Sequence, residues 1–223
     1  MTAIRNNKDM INKDTIQLEE NKDVIKTING DITKIDGDNH VLVQQLNCIA
    51  IKPHGLSQGM ASAYPYGDVY SKRIPIGNRN CATLATRGVP GTVTLHFAKN
   101  KPVICNLYGQ YCYTDSENQI FKNLKKYLHN KINNNQHLGY LNQEDDHSQL
   151  YYMEQDTKDQ RYQWFLQGLE DLSNKLKMTH CNTVIFPYRI GCGMAKGDWH
   201  KYYSAIVNFA KKIKQDVIII SKT

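Results

Sequence analysis

Thr183-Val-Ile-Phe186 is a short apolar run that empties into Pro187-Tyr-Arg-Ile-Gly-Cys-Gly-Met-Ala-Lys-Gly197, and an amphipathic segment opens at Trp199. A strand, a glycine-rich turn and a helix in succession are how an α/β chain builds an anion site. The N–H groups of the turn and of the helix start face outward together, and glycine lets that backbone come within hydrogen-bonding distance of a ligand. Glycines after a strand also make ordinary turns, so one such run constrains the fold more than the chemistry. A second run of the same kind, Leu46-Asn-Cys-Ile-Ala-Ile-Lys-Pro-His-Gly-Leu-Ser-Gln-Gly-Met60, follows the apolar stretch Val41–Leu46.

Apolar periodicity supplies the rest of the frame. Strands are predicted at Val24–Ile28, Val41–Leu46, Thr92–Phe97, Pro102–Leu107, Thr183–Phe186 and Val217–Ile220. Several are continuously apolar, the pattern of a sheet covered on both faces. Helices are predicted at Ser57–Tyr64, within Glu117–Leu128, at Asp159–Leu176 and at Trp199–Ile213. In the last, Trp199, Tyr202, Tyr203, Ile206, Phe209, Ala210 and Ile213 form one stripe opposite a lysine-rich face, with Asp198 at the N-cap position. The alternation argues an α/β sandwich with helices on both faces. Residues 1–22 read as a polar segment ahead of a domain spanning 23–223, with a polar loop or insertion at about 130–158 and no second core.

Composition narrows the function classes. The formal net charge is +7, but charged residues make up only 22% of the chain and the lysines are scattered. That favours anionic ligands in general, whereas no Arg-rich tract or reading motif points to nucleic acid. No apolar stretch reaches the roughly 18 residues of a membrane span, and the first residues have no secretory apolar core. Cys48, Cys81, Cys105, Cys112, Cys181 and Cys192 form no Cys-x-x-Cys pair and no zinc spacing. They read as reduced, largely buried thiols, with neither metal nor cofactor expected, in an intracellular protein, cytoplasmic or nuclear.

Polar residues at strand ends are the candidates for chemistry. Asn47 ends one strand, where it either bonds a ribose hydroxyl or ties down its own loop. His54, between Pro53 and Gly55, is unsuited to a core and is read as an acid–base or phosphate-contact group, against a solvent-facing one. Gly55 and Gly59 leave room for a diphosphate against the following helix. Asn106 and Gln110 have a spacing that lets either face the same crevice as Asn47. Asp31, after Asn29-Gly30, either accepts from an exocyclic amine or makes an Asx turn.

Gly30-Asp31-Ile32-Thr33, the strand ending in Asn47, the His54-Gly55 loop, and Ile190-Gly191-Cys192-Gly193 with Trp199 beyond resemble the macro domain family. The resemblance implies a three-layer α/β/α fold with a central mixed sheet, binding ADP-ribose. Within the family it is nearest the branch of ADP-ribose 1″-phosphate phosphatases and ADP-ribosyl-glutamate hydrolases. Carried over position by position, Asp31 would hold the adenine amine, with Ile32 supplying a backbone contact beside it. Asn47 would face the distal ribose, with Gly55, Ser57, Gln58, Gly59 and Met60 along one side of the diphosphate. Gly191, Cys192, Gly193 and Met194 would close the other side, and His54 would lie near the terminal ribose.

The departures are specific. Asn47-Cys-Ile-Ala50 keeps one Asn of the family's usual pair, Gly55-Leu-Ser-Gln-Gly59 replaces a run of glycines, and Ala195 stands where a hydrolase Asp is expected. Asn106-Leu-Tyr-Gly-Gln110 offers no catalytic Lys. The implied activity is therefore removal of phosphate from ADP-ribose 1″-phosphate without metal, with His54, then Asp198, as acid–base groups and Asn47 orienting substrate or water. Hydrolysis of O-acetyl-ADP-ribose or ADP-ribosyl esters is one alternative. Another is a non-catalytic reader of free or protein-linked ADP-ribose, for which ADP-ribosylated protein would be a partner.

Overall fold

The computed structural model describes residues 24–76, 79–114, 119–133 and 143–222. The expected polar segment 1–22 lies outside the described residues, as do 134–142 of the expected insertion. In chain order the elements are β1 (Ile25–Asn29), β2 (His40–Asn47), α1 (Leu56–Ala63), β3 (Val93–His96), β4 (Val103–Gln110), α2 (Gln119–Asn133), α3 (Gln143–Gln155), α4 (Lys158–Leu176), β5 (Thr183–Pro187), α5 (Trp199–Ala210) and β6 (Asp216–Ser221). The strands form one sheet in the order β1-β6-β5-β2-β4-β3. All neighbours run parallel except β3, which pairs antiparallel with β4.

Strand alternation sorts the apolar side chains into two layers. Val41, Val43, Val103, Cys105, Val184, Phe186, Val217 and Ile219 pack on Phe165, Leu169 and Leu172 of α4 and on Tyr202, Ile206 and Phe209 of α5. The residues between them, Leu42, Ile104, Ile185 and Ile220, meet Met60 of α1, Tyr64 and Ile32 on the opposite face. This is the three-layer α/β/α arrangement with a mixed sheet, and it explains why the strands read as unbroken apolar runs. The exposed side of β3 is blunted by α4, where Asp171 accepts from the Val93 N–H at 2.8 Å and Lys175 donates to the Val93 carbonyl at 2.6 Å.

Within the expected polar loop or insertion, residues 143–155 form α3, and a further apolar cluster packs around it. Leu46, Cys48, Tyr111 and Cys112, at the carboxyl ends of β2 and β4, pack with Phe121 and Leu128 of α2, Met153 of α3 and Trp164 of α4. The sequence hides this helix because its apolar residues, Leu150-Tyr-Tyr-Met153, are consecutive rather than periodic and its buried face includes Gln149.

The α3–α4 corner is locked by a buried ion pair. Asp156 and Arg161 have side chains 0% and 2% exposed. Arg161 donates from Nε to Asp156 Oδ1 at 2.6 Å and from Nη2 to Oδ2 at 2.8 Å, and Nη2 also donates to the Thr114 carbonyl at 2.8 Å. The carboxylate in turn accepts from the N–H groups of Tyr111 and Cys112 at 3.4 and 2.8 Å. Removing one partner strands the other charge in the interior. Asp156→Ala or Arg161→Ala is expected to cost about 3–5 kcal/mol in denaturant unfolding. The apolar pair Asp156→Leu with Arg161→Met is expected to recover part of it.

Candidate functional site

Gln45 and Asn47 of β2, Gln110 of β4 and Pro187 of β5 bring their carboxyl ends to one crevice of about 800 Å³. Ligand sites of open parallel sheets lie there, because crossovers carry the chain away from the strand tips and leave a gap. One wall is Lys52–Ser57, leading into α1; the other is the turn from Tyr188 to Gly191 with Gly193, Met194 and Ala195; Tyr70, Asn80 and Tyr113 close the back.

The β2 end is held from several sides. Asn47 Oδ1 accepts from the Ala50 N–H at 2.7 Å, while Nδ2 reaches the Tyr70 hydroxyl at 3.4 Å. Buried Arg73 donates to the carbonyls of Asn47, at 2.8 Å, and of Ala50, and its guanidinium lies 4.6 Å from the Tyr70 ring centroid. Asn80 accepts from the Ile51 N–H at 3.0 Å. Gly55 enters α1 at φ 60, and the Ser57 hydroxyl accepts from the His54 N–H at 3.0 Å. On the far wall Gly191 has φ 73, and an added Cβ would sit 2.3 Å from the Tyr202 ring. Arg189 is also left-handed, at φ 56, an uncommon state for a side chain of its size.

The electrostatics have one sign. Lys52 and Arg189 are the charged side chains that line the crevice, and among the described residues no carboxylate does. Burial pushes the Tyr113 hydroxyl up to about 12 and raises that of Tyr70, so both remain protonated donors at neutral pH. The exposed amides of Gly193 and Met194 have no acceptor among the described residues. The crevice is thus built of donors and cations, suited to an anionic, oxygen-rich ligand.

Of the residues singled out from sequence, Asn47, His54, Gly55, Ser57, Gly191, Gly193 and Met194 meet in this crevice. Others do not line it. Asn106 is fully buried: it accepts from Gln44 Nε2 at 2.8 Å and donates to the Gly67 carbonyl at 2.9 Å, and Gln110 takes the place at the crevice. Met60 is core, 1% exposed. Gly59 packs α1 against the Ile32–Lys34 turn, where an added Cβ would meet Thr33 at 3.3 Å, and Gln58 is exposed beside it. Cys192 is half-buried, its thiol donating to the Ile190 carbonyl at 3.4 Å.

Asp198 is exposed and caps α5, accepting from the His200 N–H at 2.9 Å. Asp31 accepts from the Thr33 N–H and hydroxyl at 3.0 and 2.7 Å and from Lys222 at 2.8 Å. Lys222 and Thr33 hold its carboxyl well below the usual carboxylate range. Ile32 is buried, its carbonyl accepting from Tyr64 at 2.9 Å.

Gln45, Lys52, Tyr70, Asn80, Tyr113, Tyr188 and Arg189 line the crevice without having been singled out as ligand-binding. Only Gln45 carried a usable signal, two residues before Asn47 on the same strand. Cys48, Cys81, Cys105, Cys112 and Cys181 are buried, as expected of the set. Among the described residues no three His, Cys, Asp or Glu side chains gather as metal ligands, and no helix is long and apolar enough to cross a membrane.

No family model and no curated protein matches the sequence. The fold does have solved counterparts. A macrodomain of Mycobacterium tuberculosis DarG aligns over 89% of this chain and 97% of its own, with a TM-score of 0.54 and 15% identity. A mutant of the Oceanobacillus iheyensis macrodomain aligns over 89% and 84%, at 0.52 and 13%. A Bacteroides thetaiotaomicron protein of unknown function aligns over 88% and 97%, at 0.52 and 18%. The chain has the three-layer fold of the macro domains.

The two turn glycines and the cap make separable predictions. Gly191→Val combines a left-handed φ with collision against Tyr202 and is expected to lower stability by about 1–3 kcal/mol or more. Gly193→Val, whose Cβ meets no atom within 4 Å, is expected to melt near wild type. Asp198→Ala is expected to cost about 1 kcal/mol through the lost cap. Thermal and denaturant melts check all three.

Proposed function

We propose that this crevice binds ADP-ribose or a close derivative, and that the protein removes the phosphate from ADP-ribose 1″-phosphate. The observation that carries the reading is the crevice itself: two glycine turns at the carboxyl ends of parallel strands, cations Lys52 and Arg189, and no lining carboxylate among the described residues. Its roughly 800 Å³ is on the scale of sites that enclose a nucleotide-sized ligand. The macro domain resemblance supplies the ligand class. The diphosphate would lie between the amino end of α1 and the amides of Gly193 and Met194. Asp31 and Ile32 would then contribute only at the outer margin, since both are engaged locally.

For hydrolysis, His54 is the imidazole at the crevice wall and the group suited to accept a proton from water. Water oxygen bonds to phosphorus as the bond between phosphorus and the 1″ oxygen breaks, the proton that His54 takes from water passes on to the departing 1″ oxygen, and the donors around the phosphate stabilise its charge. Asn47, with its oxygen committed to Ala50, has only Nδ2 left to orient water or substrate. A second reading, a reader without turnover, is favoured by the lack of any lining carboxylate and by the commitment of Asp198 to its helix.

Calorimetry with ADP-ribose and phosphate release from ADP-ribose 1″-phosphate in EDTA test these readings. Binding with metal-independent release is expected. His54→Ala is expected to slow turnover about 10²-fold with little change in affinity, and Asp198→Asn to turn over near the wild-type rate. Gly193→Val is expected to lose ADP-ribose binding while staying folded. Tight binding without release removes the phosphatase assignment; turnover of O-acetyl-ADP-ribose or of an ADP-ribosylated peptide then separates an ester hydrolase from a reader.

A further inference from the structure

A second cavity, of about 370 Å³, opens where α4 and α5 end and the chain turns toward β5 and β6. It therefore lies at the amino ends of those strands, whereas the crevice lies at the carboxyl ends. Lys177, just past α4, and Lys212 and Lys214, in the turn after α5, line it, and among the described residues no carboxylate does. The Ser173 hydroxyl and the Gln215 amide add neutral donors. Buried Leu176 and half-buried Ile213 give it an apolar lining beneath the charges.

Lysines at helix ends ordinarily serve the helix, bonding its last carbonyls and complementing its dipole. Here backbone N–H groups already take those carbonyls. Met178 and Thr179 donate to the carbonyls of Lys175 and Leu176 at 3.1 and 3.0 Å, and the Thr179 hydroxyl donates to Leu176 as well, at 3.0 Å. After α5, Lys211 and Lys212 donate from their N–H groups to Val207 and Phe209 at 3.1 and 2.9 Å. The ammonium groups are barely neutralised. Lys177 bonds the uncharged Asn174 Oδ1 at 3.0 Å. Lys212 reaches Glu170 at 3.5 Å, with the two side chains 65% and 61% exposed. Lys214 has no hydrogen bond or ion pair among the described residues.

Three like charges around one cavity repel one another, and a concave surface of one sign concentrates its field in the space it encloses. An anion placed there removes the repulsion. A single charge would leave two ammonium groups uncompensated, whereas a phosphate group presents several charged oxygens that accept from more than one of them. The volume, equal to roughly a dozen waters, admits one or two phosphate groups. We propose that the Lys177, Lys212 and Lys214 cavity is a second anion site, for a small phosphate-bearing ligand with two or more negative charges. The site is independent of what the crevice binds and can be filled while the crevice is occupied.

Inorganic pyrophosphate and glycerol 3-phosphate are titrated at constant ionic strength into the isotope-labelled full chain and followed by NMR. Saturable shifts are expected at the Thr179, Lys214 and Gln215 amides, resolved from any at Gly193 and Met194 in the crevice. Whichever probe saturates at the lower concentration identifies a diphosphate or a monoester as the ligand class. The double variant Lys212→Gln with Lys214→Gln is expected to lose about tenfold or more in affinity at the cavity. It is expected to melt at or above the wild-type temperature, since a repulsion has been removed, and to leave the crevice shifts unchanged. Glu170→Gln, which frees Lys212, is expected to tighten binding about twofold. Shifts that never saturate, or a folded double variant that binds as wild type does, overturn the site. Saturation by a single-stranded oligonucleotide but by neither small phosphate also overturns it, in favour of a nucleic-acid contact. None of these outcomes bears on ADP-ribose binding in the crevice.

Discussion

The Asp156–Arg161 pair decides where the end of β4 lies, and much of the site depends on it. A strand that leaves its sheet must find new partners for its N–H groups. Here the N–H groups of Tyr111 and Cys112 end on the Asp156 carboxylate, and the Thr114 carbonyl on Arg161. The segment so fixed begins at Gln110 and includes Tyr113, both of which line the crevice. A buried pair of this kind is weak evidence of net stability, since desolvation offsets much of its attraction. Its consequence is geometric: two bidentate bonds allow one arrangement of the α3–α4 corner against the sheet.

The neighbouring tip, that of β2, is fixed by a different device with the same effect. Asn47 folds its side chain back onto Ala50, and Arg73 bonds the carbonyls of both. The Arg73 guanidinium takes two carbonyls and a tyrosine face as its partners, with no carboxylate bonded to it among the described residues. That choice matters at a site for anions. A carboxylate placed to neutralise Arg73 would have brought negative charge next to the crevice, opposing the field of Lys52 and Arg189.

The strands and four of the helices were legible in the sequence because burial on two faces writes itself as apolar runs and stripes. α3 was not, since its apolar residues Leu150–Met153 are consecutive and its buried face includes Gln149. In the site, the glycine turns and Asn47 could be read, because backbone conformation and strand ends leave local signals. Asn106 could not be placed, since period-two alternation puts Gln44 and Asn106 opposite each other on the same buried face. Met60 illustrates the helical version: it shares a face of α1 with Leu56, but one turn further along that face lies in the core and not at the crevice.

Tyr70 and Asn80 belong to a more general limit. They reach the crevice from segments distant in sequence, and nothing in a neighbouring residue marks them as convergent. What the sequence does contain is the small-residue side of the same contacts. Gly109, Gly191 and Gly197 each stand where a side chain would strike Gln45 or Tyr202. A glycine in such a place is a record of what lies against it. The glycines of this site therefore differ: Gly193 stands in open space, whereas Gly191 lets the backbone lie against Gln45 and Tyr202. Replacing either alters the crevice wall, but only the second also strains the fold, and this difference separates an open turn from a packed one.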